Sequence, residues 1–98
     1  MKPASRLLLI CCWLALSAGP LQAACYADYK AKQDDPLRLH YGVIALSDDA
    51  CARPATAKRE AEARIAAGGW SLLNILSTFS DEGLAERKKN AGPYYLRF

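Results

Sequence analysis

A small two-layer α+β domain, running strand, helix, strand, helix, strand, is predicted by three stretches of this 98-residue chain. Residues 37–46, LRLHYGVIAL, alternate in their first half and turn wholly apolar in the second, the pattern of a strand buried on both sides at its far end. In PATAKREAEARIAA, residues 54–67, Ala57, Ala61 and Ile65 repeat at four-residue spacing as a narrow helical stripe. WSLLNILSTF, residues 70–79, carries large apolar side chains on both faces and reads as a central strand. Three strands with two helices largely on one face complete the expected architecture.

Before these elements comes a leader. Lys2 and Arg6 give a positive start, and Leu7 to Leu16 form a ten-residue apolar block, half the length of about 20 residues that a membrane-crossing helix needs. Gly19 and Pro20 then break the block ahead of small residues, so residues 1–23 are expected to be a secretory signal peptide, with a retained membrane anchor as the alternative. The mature domain would span residues 24–98 and begin at Ala24 or Cys25.

Two of the four cysteines, Cys11 and Cys12, leave with the leader, and Cys25 and Cys51 remain. An even pair in an oxidising compartment predicts a disulfide. The alternative is lipidation of Cys25. Ala24 fits the position before a lipidated cysteine, but Gln22 stands where an aliphatic residue is usual, and Cys51 would be left as a lone thiol.

Within the mature chain, YADYKAKQDDP reads as a polar, turn-rich loop in which one helical turn could set Tyr26 and Tyr29 against the core. The strand over 37–46 divides into one face of Leu37, Leu39, Tyr41 and Val43 and a more polar face of Arg38, His40 and Gly42. Ser47, Asp48 and Asp49 make the next turn. Pro54 suits a first helical turn, Thr56 is a candidate cap, and Gly68 and Gly69 stop the helix, one of them in left-handed backbone. After the strand over 70–79, Ser80 is the expected N-cap of a second helix, with Phe79 and Leu84 as its staple and Arg87, Lys88 and Lys89 at its negative end. Gly92 and Pro93 end that helix, and YYLRF alternates as a closing strand.

Processing leaves 11 basic and 10 acidic residues, a net charge of +1. That balance argues against nucleic acid as a partner, because phosphate binding needs a basic surplus. Alanine at 18 of 98 positions suggests a bacterial source. No linear motif pairs a nucleophile with a base, cradles phosphate in glycines or clusters metal ligands, so neither a catalytic set, a cofactor nor a metal is expected. The acidic pairs Asp34–Asp35 and Asp48–Asp49 flank one strand, about 30 Å apart at about 3.3 Å per residue, and read as turn residues.

The candidate contact surface comprises His40 and Arg38 on the polar strand face, Trp70 and Tyr95 as stacking aromatics, and the cations Arg87, Lys88 and Lys89. Lys58 and Arg59 would join these cations if both helices shared a face. For each residue a packing or helix-end role competes with the binding role.

The run from HYGVIAL through the alanine-rich helix to AAGGWSLLNIL and YYLRF resembles small exported bacterial domains of unknown function, over residues 38–98. It is also similar to the sporulation-related repeat that binds peptidoglycan, with one helix-strand unit matching. The resemblance implies a sheet used as a binding surface and transfers no catalytic residue. The expectation is therefore a non-catalytic binding or accessory protein, periplasmic or secreted, whose partner is an envelope protein or glycan. An outer-membrane lipoprotein anchored through Cys25 and an inhibitor of a secreted hydrolase are the alternatives.

Overall fold

The structure, a computed structural model, describes residues 24–98, so the leader and its cleavage site lie outside the described residues. Strands β1 (Cys25–Gln33) and β2 (Arg38–Leu46) come first, followed by a 3₁₀ turn (Asp48–Ala52) and helix α1 (Pro54–Ala67). Strand β3 (Ser71–Phe79), a second 3₁₀ turn (Asp81–Gly83), helix α2 (Leu84–Ala91) and a third turn (Gly92–Tyr94) complete the domain. The sheet order is β2-β1-β3 with both pairings antiparallel. Three strands and two helices make a small α+β domain, as expected, but the order is β-β-α-β-α rather than β-α-β-α-β.

The first difference is β1, expected as a loop. Its alternation is real: Cys25, Ala27, Tyr29 and Ala31 point into the core while Lys30 is exposed between them. Small side chains and interleaved charges conceal the period. Tyr26 and Tyr29 therefore lie on opposite faces, Tyr29 fully buried and Tyr26 stacked on Phe79 with ring centroids 6.0 Å apart. With β1 in the middle, β3 is an edge strand and not the central one.

The second difference is β2, whose polar-looking face is the inward one. His40, Gly42, Ile44 and Leu46 point inward, whereas Leu37 and Leu39 are exposed. Gly42 makes this possible: a Cβ there would lie 2.5 Å from the Tyr29 hydroxyl, so only glycine admits the tyrosine ring.

One face of the sheet meets α1. Ala57, Ala61 and Ile65 pack with Ala27, Tyr29, Ala31, Ile44 and Leu46, and the alanines on both sides let helix and sheet approach closely. Gly68 and Gly69 stop α1 as expected, Gly69 at a φ of +88°. Arg53, not Thr56, is the N-cap residue, and Pro54 takes the first helical position.

Helix α2 covers the opposite face, so the helices do not share one. Arg87 reaches Asp28, whose register partners Val43 and Ser77 share its side of the sheet. The pull is electrostatic, since Asp28 is the acidic group under that helix. Ser80 precedes a 3₁₀ turn and donates to Glu82 rather than capping α2, and the Phe79 ring lies under the Arg87 guanidinium at 4.0 Å.

The closing strand is absent as well. Leu96 has a φ of +55°, which breaks extension, and the segment makes one parallel bridge, Tyr95 to Val43, with the Leu96 N–H donating to the Val43 carbonyl at 2.8 Å. That contact helps close the outer edge of β2. Arg64 of α1 donates to the Ala45 carbonyl, and the Ser47 N–H donates to Glu60 at 2.9 Å. No main-chain hydrogen bond from outside the sheet ends on β3 among the described residues. The β2 edge is thus partly covered, at the Val43 and Ala45 carbonyls, and the β3 edge is open.

Candidate functional site

The sequence-derived contact residues do not form one surface. His40 and Trp70 meet in an aromatic cluster at the β2 side of the α1 face. Tyr94 stacks on His40 with centroids 3.6 Å apart, Trp70 meets it edge-on at 4.3 Å, and Tyr29 stands edge-on at 5.3 Å. The Phe98 ring closes over Gly68, where a Cβ would come within 2.2 Å of it. Arg38 lies at the exposed hairpin end of β2. Arg87 is turned inward to Asp28, leaving Lys88 and Lys89 on the solvent side of α2. Tyr95 joins that pair in an open corner with Ala85 and Gly92, the Lys88 ammonium 5.6 Å from its ring centroid. Lys58 and Arg59 belong to α1, across the sheet.

His40 is 9% exposed and acts as a packing element. Its Nε2 lies 2.8 Å from the Tyr29 hydroxyl, while its Nδ1 is buried without a hydrogen-bond partner among the described residues. Burial, then the Arg97 charge, lower its pKa, so the ring stays neutral. Burial likewise pushes the Tyr29 hydroxyl up to about 12.

These two shifts set a stability window. Unfolded histidine takes up a proton below its ordinary 6.5 while folded His40 resists, so stability present above that value is lost as pH falls through the lowered folded pKa. Unfolded tyrosine ionises above 10.0 while Tyr29 holds its proton, so stability falls between there and about 12, by up to about 1.4 kcal/mol per pH unit. Urea midpoints across pH should form a plateau with a fall on either side. Replacing His40 with glutamine should remove the upper part of the acid-side fall.

Beneath α2, Asp28 is 7% exposed and accepts three hydrogen bonds: from Ser77 Oγ at 2.7 Å, Tyr41 OH at 2.9 Å and Arg87 Nε at 3.1 Å. Burial alone would raise its carboxyl, but the bonds from Ser77, Tyr41 and Arg87, with the Arg87 charge, outweigh it and lower the pKa. Every carboxylate oxygen is engaged, which makes this a structural buried network.

Cys25 and Cys51 are bridged, with Cα atoms 5.7 Å apart, so the Cys25 sulfur is a disulfide partner and carries no free thiol for a lipid. Cys25 is buried at the start of β1, and Cys51 is exposed. The bridge sits at one end of an apolar groove between α1 and β3, about 370 Å³ in volume. Ala50, Pro54 and Ala57 form one wall, Leu72 and Ile75 the other, and Lys58 stands at the rim. Two bulges in β3, at Leu73 and Leu76, leave these leucines 49% and 45% exposed along the open edge.

The sequence reading missed this site because β3 looked central. The lone clue was the absence of any charge between Trp70 and Ser80. Among the described residues no helix is long and apolar enough to cross a membrane, and none cluster as metal ligands. Comparison with known proteins finds no matching family model, no matching curated protein and no matching solved structure.

Proposed function

We propose that this chain is an exported, non-catalytic binding protein of the bacterial envelope, periplasmic or secreted, that takes an extended segment of polypeptide as an added strand on β3. The observation that carries this reading is the contrast between the sheet edges: the distal half of β2 is covered by Tyr95, Leu96 and Arg64 at Val43 and Ala45, whereas β3 is open along its length beside an apolar groove. An open edge offers main-chain donors and acceptors at the spacing of a strand, and the groove offers pockets for alternate side chains. The occupant is therefore an uncharged, apolar, extended segment.

A protein partner is favoured over a glycan. Stacking on sugars needs exposed aromatic faces, and Trp70 and Tyr94 are engaged with His40. The groove itself carries no aromatic side chain. The disulfide supports an oxidising compartment, and export follows from the expected leader.

The test uses a fluorescein-labelled peptide of alternating leucine and threonine, added to the mature chain. Saturable binding should slow amide hydrogen exchange along Ser71–Phe79 and leave β2 unchanged. Binding without protection of β3, or co-sedimentation with peptidoglycan instead, overturns the reading. Protein recovered from a periplasmic fraction should begin at Ala24 or Cys25; an intact leader there would contradict export.

A further inference from the structure

His40 lies under a cover that the chain can lift. We propose that residues 93–98 form an acid-released latch: protonation of His40 lets the segment swing off the sheet about Gly92, uncovering Trp70 and the distal edge of β2. The device belongs to the β2 side and does not depend on what β3 binds.

Three observations converge on it. The first is the surroundings of the ring. Four aromatic side chains enclose His40: Tyr29 from β1, Trp70 from just before β3, and Tyr94 and Phe98 from the closing segment. Its Nε2 faces the Tyr29 hydroxyl and its Nδ1 is buried without a partner, so among the described residues no acidic side chain stands ready for a second ring proton. Tyr29, Tyr94 and Arg97 are the titratable groups that face the ring, and of these Arg97 is the cation, 5.6 Å from the centroid of the Tyr94 ring on which His40 stacks. A protonated His40 under this cover is a buried cation with an unpaired N–H and a second cation nearby, an arrangement that entry of water relieves.

The second is the weakness of the cover. Lifting the closing segment removes Tyr94 and Phe98 together, two of the four rings. It is held by the Leu96 N–H donating to the Val43 carbonyl and by Arg64 donating to the Phe98 carbonyl at 3.0 Å, whereas β1 and β2 pair over nine residues. None of residues 92–98 is fully buried, and Leu96 has a φ of +55° that a leucine seldom adopts. Segments with so few contacts open at lower free energy than the strands beneath them.

The third is a pivot. Gly92 has a φ of +54°, and nothing lies within 4 Å of where its Cβ would stand, so its dihedrals can change without a clash. Ala91 before it is buried, which leaves the end of α2 anchored while the segment beyond moves.

The experiment follows the disulfide-bonded domain, residues 24–98, from about pH 7.5 to about pH 3.5. Trp70 is the one tryptophan in this range and His40 the one histidine, so emission and imidazole resonances each report a single site. Wild-type Trp70 emission should move to the red, with rising access to acrylamide, at the midpoint of the His40 titration, while far-UV circular dichroism is retained and β1 amides remain protected. Between the ordinary histidine value of 6.5 and the lower folded one, protection of the Leu96 amide should fall by up to about tenfold per pH unit. His40→Gln keeps a partner for the Tyr29 hydroxyl but takes up no proton, and it should hold Trp70 emission and Leu96 protection flat over the same range. Gly92→Ala puts a side chain on backbone that suits glycine, weakens the closed form and should raise the His40 midpoint toward 6.5.

A wild type in which Trp70 exposure, Leu96 exchange and circular dichroism change together has no separate latch and overturns the proposal. An imidazole titration that leaves Trp70 and Leu96 unchanged does the same, as does a His40→Gln protein that opens with the wild-type midpoint. Should His40→Gln fail to fold, Gly92→Ala decides: a raised midpoint supports the latch, and an unmoved one overturns it. Should both fail, the wild-type midpoints of His40 and Trp70 decide by coinciding or parting.

Discussion

Replacing Asp28 with alanine is expected to destabilise the domain by about 3 kcal/mol, the scale for removing one member of a buried, hydrogen-bonded ion pair. The loss has several sources. The Arg87 guanidinium remains under α2 without its carboxylate, and the Tyr41 and Ser77 hydroxyls lose their acceptor. A domain of this size has a total stability of only about 4–11 kcal/mol, so the urea midpoint should move far and α2 should loosen first. Rapid amide exchange in Leu84–Ala91, with β1 and β2 still protected, would locate the damage. An unchanged midpoint would show that Asp28 is not holding the helix.

The milder change Asp28→Asn separates charge from shape. Burial, then the hydrogen bond and charge of Asp28, raise the Tyr41 hydroxyl to about 12 in the folded protein. Removing the charge should bring phenolate absorbance from Tyr41 to lower pH. Asp28 has a depressed folded pKa, so its contribution is present above the unfolded carboxyl value and disappears as pH falls through the folded one. The variant should lack that part of the acid transition.

Cys51→Ser is the second large effect. The native bridge closes a loop between residues separated by 26 positions, worth about 3 kcal/mol through restriction of the unfolded chain. A domain of this size has a modest core, so loss of the cross-link removes a sizeable fraction of what keeps it folded. Its folded spectrum should resemble wild type, because Cys25 remains a buried small apolar residue, and the main change should be the denaturant midpoint. Wild type treated with a strong reductant should superimpose on the variant. A variant as stable as the oxidised protein would mean that the bridge is incidental.

The elements with strong local signals were legible. Helix α1 follows from its alanine stripe, opening proline and closing glycine pair, and β3 from its apolar density. The Cys25–Cys51 pairing followed from the cysteine count. What could not be read locally was the arrangement in space. β1 keeps its inward positions small, at Ala27 and Ala31, because α1 packs closely above them, and small residues give a weak alternation signal. Missing β1 had a direct cost, since without a strand to occupy the middle, β3 looked central and its free edge went unseen. His40 was misplaced for a similar reason. Its neighbour Gly42 looked like polar-face filler, whereas it is the gap into which Tyr29 fits. Arg87, Lys88 and Lys89 looked alike in sequence, and only the position of Asp28 across the fold turns the first inward.

The strand at the middle of the sheet is the first one in the chain. Exported as proposed, the polypeptide would deliver β1 early, then β2, and these two could zip into a hairpin at once because a short turn joins them. Both sulfurs of the cross-link have also emerged by residue 51, twenty positions before β3 begins. On that proposed route an oxidase on the far side would fasten the hairpin to the turn that follows it while nearly half of the chain is still in transit. The late-arriving strand then docks on a template already prevented from unravelling.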